Sequence, residues 1–529
     1  MSWRRFCLVI AISISICWSA PFVAAQGKDD KKVDAPQKPK PKFTVGKETT
    51  YVTGPIDKDG YIDYVAALND KLREGVTPEK NAHALLWKAF GPRPDGESMP
   101  DAFFALMKIP VPPAQGDYFV FPGKKHFNFA NEAASTRFYD TMDIVTARPW
   151  TAKEHPDFAE WLKSNEKPLA AIIEATRGTQ YYYPLLPIKS KDGGFDGLLT
   201  SNMAGVQRCR ALASALLARA MLRTTEGRID DAWNDLLAVH RLGRQVGRGA
   251  TLIEGLVGIA LEARAGSADL AHIEHAKLNT RQLEDRLRDL QTLPPLPPLA
   301  DAVNLGERFM FLDSVMLLDR TGGDLGLDPA LKTGKFSSGI VNWDPALRNA
   351  NQWYTRMNMV MRLKDRNLRE KQLQQIEIDT QALKQEITSA KGIASAFLIA
   401  KGTDEVLGKL IGANLMCLLT PALVKMTQSG DRTEQNERNL HLAFALAAYK
   451  SDNGRYPMKL DALAPKYLAA IPDDLFSGKA LIYRPNDAGY LLYSVGSNGK
   501  DDGGQSADDQ PRGDDLVVRM PLPKLRGQQ

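Results

Sequence analysis

The sequence predicts a mainly α protein that ends in a small α+β domain with a three-stranded antiparallel sheet. Three observations predict it. Amphipathic segments with helix-start and helix-stop residues recur from about residue 61 to 290. Short apolar and aromatic runs, ALIYR, YLLYSV and LVVRM, cluster near the chain end and read as strands. The 529 residues are 43% hydrophobic and 25% charged, an ordinary composition for a globular protein.

The N-terminus comes first. Arg4 and Arg5 precede an uncharged stretch, Phe6 to Gly27, with the apolar core FCLVIAISISICW. Pro21 breaks it, and Val23-Ala24-Ala25 offers small residues for cleavage after Ala25. This is the pattern of a secretory signal peptide over residues 1–25, and it expects a protein exported to the periplasm or cell envelope. The alternative is an uncleaved segment that associates the chain with the membrane. A span needs about 20 apolar residues, and Pro21 leaves this one short. Ile16 before Cys17 argues against a lipoprotein signal. Residues 26–42 are charged and proline-rich and read as a disordered tether. Outside the signal only Cys209 and Cys417 remain, both in apolar surroundings. They read as two buried thiols, with one disulfide the open alternative.

Residues 43–300 read as an α-helical domain. YIDYVAALNDKLREG stops at Gly75. The next helix takes Thr77 as N-cap, Pro78 at its first position and Gly91 after its last turn. Residues 156–177 repeat the pattern with a break at Pro168. Residues 202–223, a helix starting near Asp230, LIEGLVGIALEARAG and TRQLEDRLRDLQ complete the series. Short turns between helices imply antiparallel hairpins. The segment ARAMLRTTEGRIDDAWNDLLAVHRL, with Gly227, Ala232 and Leu236 suitably spaced, resembles a single tetratricopeptide hairpin; no second copy lies one period away. LPPLPPLAD (293–301) is a proline-rich joint, and 301–430 reads as mixed. Within it 322–345 is irregular and 351–396 a long charged helix. Residues 411–424 are apolar but short, a buried helix and not a membrane span.

A net charge of +5, with basic residues scattered among acidic ones, excludes a nucleic-acid binder. No Walker loop, GxSxG, GxGxxG or CxxC occurs, and no catalytic residue is assigned. TGPIDKDGYIDY (53–64) fails as an EF-hand: with Gly60 at loop position six, Pro55 and Ala66 occupy the two essential ligand places. It reads as a turn leading into a helix. His272 and His275, with Glu274 between them, read as a surface pair. YYYP (181–184) reads as an aromatic packing cluster.

The specific signal lies in residues 431–520, with 521–529 a tail. A helix bearing Leu440, Phe444 and Ala448 on one face stops at Asn453-Gly454, and the three strands follow. The landmarks are Ala448-Tyr449-Lys450, Asn453 to Pro457, Leu463, Ile471 to Asp474, Ser477-Gly478, Tyr483, Gly489-Tyr490, Leu492 to Gly496, Asn498-Gly499, Gly503-Gly504 and Asp515-Leu516. In this order they resemble the globular domain of the type II secretion major (G-type) pseudopilin. The resemblance covers about a sixth of the chain, and implies that the loop before the last strand binds calcium. That loop holds six aspartates: Asp501, Asp502, Asp508, Asp509, Asp514 and Asp515. Each close carboxylate pair costs on the order of 1 kcal/mol in water, and Ca²⁺ accepts six to eight oxygens in flexible geometry. The open alternative is a solvated acidic loop. Pseudopilins begin with a short basic leader and a long apolar helix; a conventional signal and about 400 residues precede the module here. The expectation is therefore a non-enzymatic binding or structural protein of the bacterial envelope with an unknown protein partner. An accessory of a secretion or pilus-like machine and an extracytoplasmic enzyme are the alternatives.

Overall fold

The structure, a computed structural model, describes residues 42–93, 99–123, 125–187, 197–321, 341–388 and 404–525. The expected signal peptide, the tether up to residue 41 and residues 322–340 of the irregular stretch lie outside the described residues.

In chain order the first helices are α1 (Tyr64–Leu72), α2 (Ala82–Phe90), α3 (Asp101–Leu106), α4 (Glu132–Ala147), α5 (Pro156–Ser164) and α6 (Glu166–Ala175). There follow α7 (Ala204–Thr225), α8 (Ile229–Val246), α9 (Leu252–His275), α10 (Thr280–Gln291) and the short α11 (Leu299–Ala302), which runs through a π-helical turn, Val303–Glu307, into α12 (Arg308–Thr321). Then come α13 (Asp344–Met361), α14 (Arg366–Thr388) and α15 (Asp404–Asn453), and a sheet of β1 (Ile482–Pro485), β2 (Tyr490–Ser494) and β3 (Leu516–Met520). The fold is mainly α with one small antiparallel sheet near the C-terminus, as expected. The chain divides into two compact units, each assembled from three separated stretches. Of the described residues, those up to 72, within 185–202 and within 300–425 form the first; those within 73–184, 203–299 and from 426 on form the second.

Several boundaries differ from expectation, each for a visible reason. The N-cap of α2 is Asn81, not Thr77. Its Oδ1 accepts from the amides of His83 (3.1 Å) and Tyr182 (3.0 Å), so one side chain caps the helix and ties it to a distant strand-like segment. Thr77 instead closes the preceding turn, its carbonyl accepting from the amide of Asn81. The break in 156–177 falls at Asn165, whose amide group exchanges hydrogen bonds with both main-chain groups of Val120. Pro168 sits in the first turn of α6, where a missing N–H costs no helical bond. The expected long helix over 351–396 is interrupted at residues 362–365, between α13 and α14. The apolar 411–424 stretch is not a separate helix; it continues through α15 to Asn453. Among the described residues no helix is long and apolar enough to cross a membrane.

In the first unit, residues 42–63 are bound to α12 and α13. Tyr61 Oη donates to Asp319 at 2.7 Å, Thr44 Oγ1 to Asp344 at 2.7 Å, and Asn351 Nδ2 to the Thr49 carbonyl at 2.6 Å. The supposed EF-hand stretch is indeed a turn: Asp57 accepts from the amides of Asp59 and Tyr61 and pairs with Arg320.

The core of the second unit is the antiparallel trio α7, α8 and α9. Gly227, at φ 75, turns α7 into α8, a left-handed conformation that glycine adopts without a Cβ penalty. The Arg219 guanidinium forks onto Asp235 (2.6 and 3.0 Å), and Arg223 adds a third bond at 2.7 Å. A Cβ on Gly258 would lie 2.6 Å from the Gly243 carbonyl oxygen, so α8 and α9 cross at backbone contact. Beyond that crossing lies a buried charge cluster. His240 reaches Glu262 through Nδ1 (2.7 Å) and Asp269 through Nε2 (2.8 Å). Arg244 pairs with the same Glu262 and with Glu437 of α15 at 2.8 Å. His240, Arg244, Glu262 and Asp269 are all buried. Burial alone would lower the His240 pKa, but the carboxylates of Glu262 and Asp269 raise it to about 10.

The sheet runs in the order β1-β2-β3, with Tyr483 opposite Leu492 and Leu492 opposite Val518. Leu516, Val518 and Met520 of β3 are buried in strict alternation, which fixes the register. The expected helix face, Leu440, Phe444 and Ala448, is buried as well.

Replacing His240 by Gln leaves Asp269 buried without its cation and Glu262 with Arg244 alone. Unfolding in urea should show a loss of about 3–5 kcal/mol. A His whose folded pKa is raised stabilises fully below its ordinary value and loses that contribution as pH rises through the folded one. The unmutated protein should therefore lose stability between pH 6.5 and about 10 relative to the His240→Gln variant. Parallel pH profiles for the two would show that the cluster does not carry a charged imidazole.

Candidate functional site

The six aspartates do not act alike. Asp509 accepts from Ser506 N and Oγ (2.6 and 2.8 Å) and pairs with Arg519 at 2.8 Å. Asp514 accepts from Ser497 Oγ and the Asn498 amide, both at 2.9 Å, and pairs with Arg432 of α15 at 2.5 Å. Asp502 accepts from the Asp514 amide (2.7 Å) and Asp501 from Tyr493 Oη (2.9 Å). Asp515 is 1% exposed and accepts from the Gly504 amide at 2.7 Å. Asp508 is exposed. Gly496, at φ 69, lets the loop fold back: a Cβ there would meet the Asp514 carbonyl oxygen at 2.1 Å.

Two aspartates are thus neutralised by arginines. Asp501, Asp502 and Asp515 have no Lys or Arg within ion-pair distance among the described residues. Burial first, then the like charges of Asp502 and Asp501, raise the Asp515 pKa. Such uncompensated crowding is what a cation relieves. The side chains alone do not complete a site: among the described residues no three His, Cys, Asp or Glu side chains are arranged to hold a metal ion. Main-chain oxygens would have to supply the remaining ligands.

A carboxylate given no role by the sequence organises the same region. Asp474 is 2% exposed and accepts from Ser494 Oγ (2.7 Å), Ser477 Oγ (2.8 Å), and the amides of Phe476 (3.0 Å) and Val495 (3.3 Å). It bolts the Asp473–Ser477 turn to the end of β2, where the acidic loop begins. In the sequence Asp474 is only a landmark, because its donors on β2 lie twenty residues on.

Elsewhere in the second unit a groove of about 330 Å³ is lined by Arg177, Arg241, Arg244 and Arg248, with Gln245 and the 292–294 segment. Arg244 is spent on the buried cluster, and Arg248 Nη1 donates to the Thr179 carbonyl at 2.8 Å. Arg177 pairs with Glu174 at 3.2 Å. Arg241, half-buried, makes no hydrogen bond or ion pair among the described residues. Burial and then the neighbouring Arg177 lower its pKa, outweighing the opposing pull of Asp289 and Glu174. The spacing Arg241, Gln245, Arg248 on α8 is the one sequence signal that could have found this face.

Comparison of the chain with protein-family models, curated proteins and solved structures gave no match.

The remaining sequence candidates resolve into packing. His272 and His275 are not a surface pair: His272 is fully buried, bonded through Nδ1 to Thr224 Oγ1 (3.2 Å) and stacked on Trp233, whereas His275 is exposed beside Glu274. Burial and then Arg286 lower the His272 pKa to about 3. The cause lies in α7 and α8, whose packing covers one turn of α9 and not the next. Tyr182 and Tyr183 are buried, and Tyr183 packs edge-on against His83 at 4.6 Å. Burial holds His83 neutral, with a pKa of about 3. Both described cysteines are free thiols, Cys209 buried and Cys417 half-buried. Burial and then Glu254 push the Cys209 thiol up to about 12, which leaves it unreactive at neutral pH.

Asp474→Ala strands four donors and should cost about 1–3 kcal/mol or more in chemical denaturation. Although burial opposes it, Arg519 and the Ser506 donors hold Asp509 down at about 2. A depressed carboxyl stabilises above its ordinary value and loses that contribution as pH falls through the folded one. Acid titration of the melting temperature should show this loss between pH 3.8 and about 2, and Arg519→Gln should reduce it, leaving the part that the Ser506 donors supply.

Proposed function

We propose that this chain is an exported, non-enzymatic binding protein of the bacterial cell envelope. It engages an acidic protein segment at the arginine groove and ends in a pseudopilin-like domain whose acidic loop responds to calcium. The observation that carries the reading is Arg241: a half-buried guanidinium without a hydrogen bond or ion pair among the described residues, crowded by Arg177, in a groove whose lining includes no carboxylate. A carboxylate from a partner would offset both the desolvation and the repulsion. An accessory role in type II secretion would rest on the pseudopilin resemblance alone.

The test uses a fluorescent oligoglutamate peptide and an oligothymidylate of equal charge, read by anisotropy. The peptide should bind, weaken with salt, and lose at least about tenfold with Arg241→Gln/Arg248→Gln. Preference for the oligonucleotide, or indifference to the double substitution, would sink the reading.

Calcium, when bound, would supply the positive charge that Asp501, Asp502 and Asp515 lack. At ten times its dissociation constant it should stabilise the domain by about 1.4 kcal/mol. The melting temperature of the full chain should rise with calcium relative to chelator, and the rise should vanish in Asp515→Asn. An unchanged melting temperature would leave the loop held by its own donors.

A further inference from the structure

The first unit contains a second cavity, of about 640 Å³, a size that suits a small organic ligand. Its walls include Tyr51, Arg308, Arg348, Thr355, Arg356 and Val360. Arg308 is 2% exposed, and among the described residues no carboxylate pairs with it. Both of its hydrogen bonds leave from Nη2, to Asn304 Oδ1 at 2.8 Å and Thr355 Oγ1 at 3.2 Å. Its Nε is buried and makes none. The guanidinium carbon lies 4.2 Å from the centre of the Tyr51 ring and 5.9 Å from that of Tyr354. Arginines sealed into proteins ordinarily face a carboxylate; two ring faces and two neutral acceptors replace only part of that.

Two local distortions place this group on the cavity wall. The π-helical turn Val303–Glu307 immediately precedes Arg308 and shifts the phase of the following helix. Tyr51 holds φ 62, a left-handed conformation that is costly for a bulky side chain. The strained residue and the helical bulge meet at one guanidinium. The other lining arginines are spoken for: Arg348 pairs with Asp344 at 2.9 Å and Arg356 with Asp379 at 2.6 Å.

We propose that this cavity binds a small organic oxyanion, a carboxylate or phosphate monoester, whose charged end pairs with Arg308 and whose apolar body lies against Tyr51 and Val360. The site belongs to the first unit and is independent of the groove in the second. With Nη2 held by Asn304 and Thr355, the Nη1 hydrogens are left to meet such an anion, and the planar group keeps its place over the Tyr51 ring, which a lysine ammonium would not.

Titration calorimetry on the full chain, with benzoate, phenyl phosphate and neutral benzamide as probes, tests it. At least one of the two anions should bind saturably with a dissociation constant of about 1 mM or below, and benzamide should not. The better anion identifies the natural headgroup chemistry. Arg308→Lys should weaken that anion by about tenfold or more, while Arg281→Gln, at an exposed arginine outside the cavity, should change it little. Co-crystals of the unmutated protein with 4-bromobenzoate should place the bromine anomalous peak between Tyr51 and Val360, a readout that does not need the variant to fold. Equal binding of benzamide, no saturable binding of either anion, or a bromine peak only outside this cavity would overturn the proposal.

Discussion

The buried charge cluster between α8, α9 and α15 sets the geometry of the second unit. Its charges are costly to bury and repay that cost only when all are present and hydrogen-bonded. Arg244, held inward by Glu262 and Glu437, fixes the rotation of α8 about its axis. Arg241 and Arg248, about one turn to either side, consequently reach the groove. Glu437 fixes α15 in turn. Within the same stretch of helix Gln435 accepts from the Leu475 amide, Asn439 Nδ2 donates to the Leu516 carbonyl, and Arg432 meets Asp514. A single polar contact core thus passes position from the helical trio to the sheet and on to the acidic loop.

The acidic loop is a case of charge handled by several devices at once. Arginines neutralise Asp509 and Asp514, amides and hydroxyls solvate the nearby Asp474, and Asp501, Asp502 and Asp515 have hydrogen-bond donors but no cation among the described residues. Two of the six negative charges of the loop are therefore matched by arginines in the folded chain. What remains is concentrated at the start of β3, where Asp515 is buried.

Periodicity makes the helices and the alternation of β3 legible in the sequence, because both patterns are local. The misplaced features all depend on distant partners. Thr77 and Asn81 are both accepted N-cap residues, and the bond from Tyr182 fixes Asn81 in that place. Asn165 breaks a helix because Val120 is there to receive it. His272 and His275 look equivalent in sequence, yet only the first is covered by α7 and α8. The six aspartates are countable, but Arg432 lies some eighty residues upstream of the one it neutralises. Arg308 carries no signal at all: a lone arginine in an apolar helix reads as a surface residue until its surroundings are known.

The interleaving of the two units has a consequence for how the chain can be made and cut. Neither contains an uninterrupted stretch that holds all of its own contacts: each needs material from near the beginning, the middle and the far side of residue 300. Such a chain cannot complete the first unit before about residue 425 has been made, nor the second before the final stretch. Its slowest steps involve closing very long loops. For the same reason no simple excision at a domain border will yield an autonomous fragment, and expression trials should begin with the whole polypeptide.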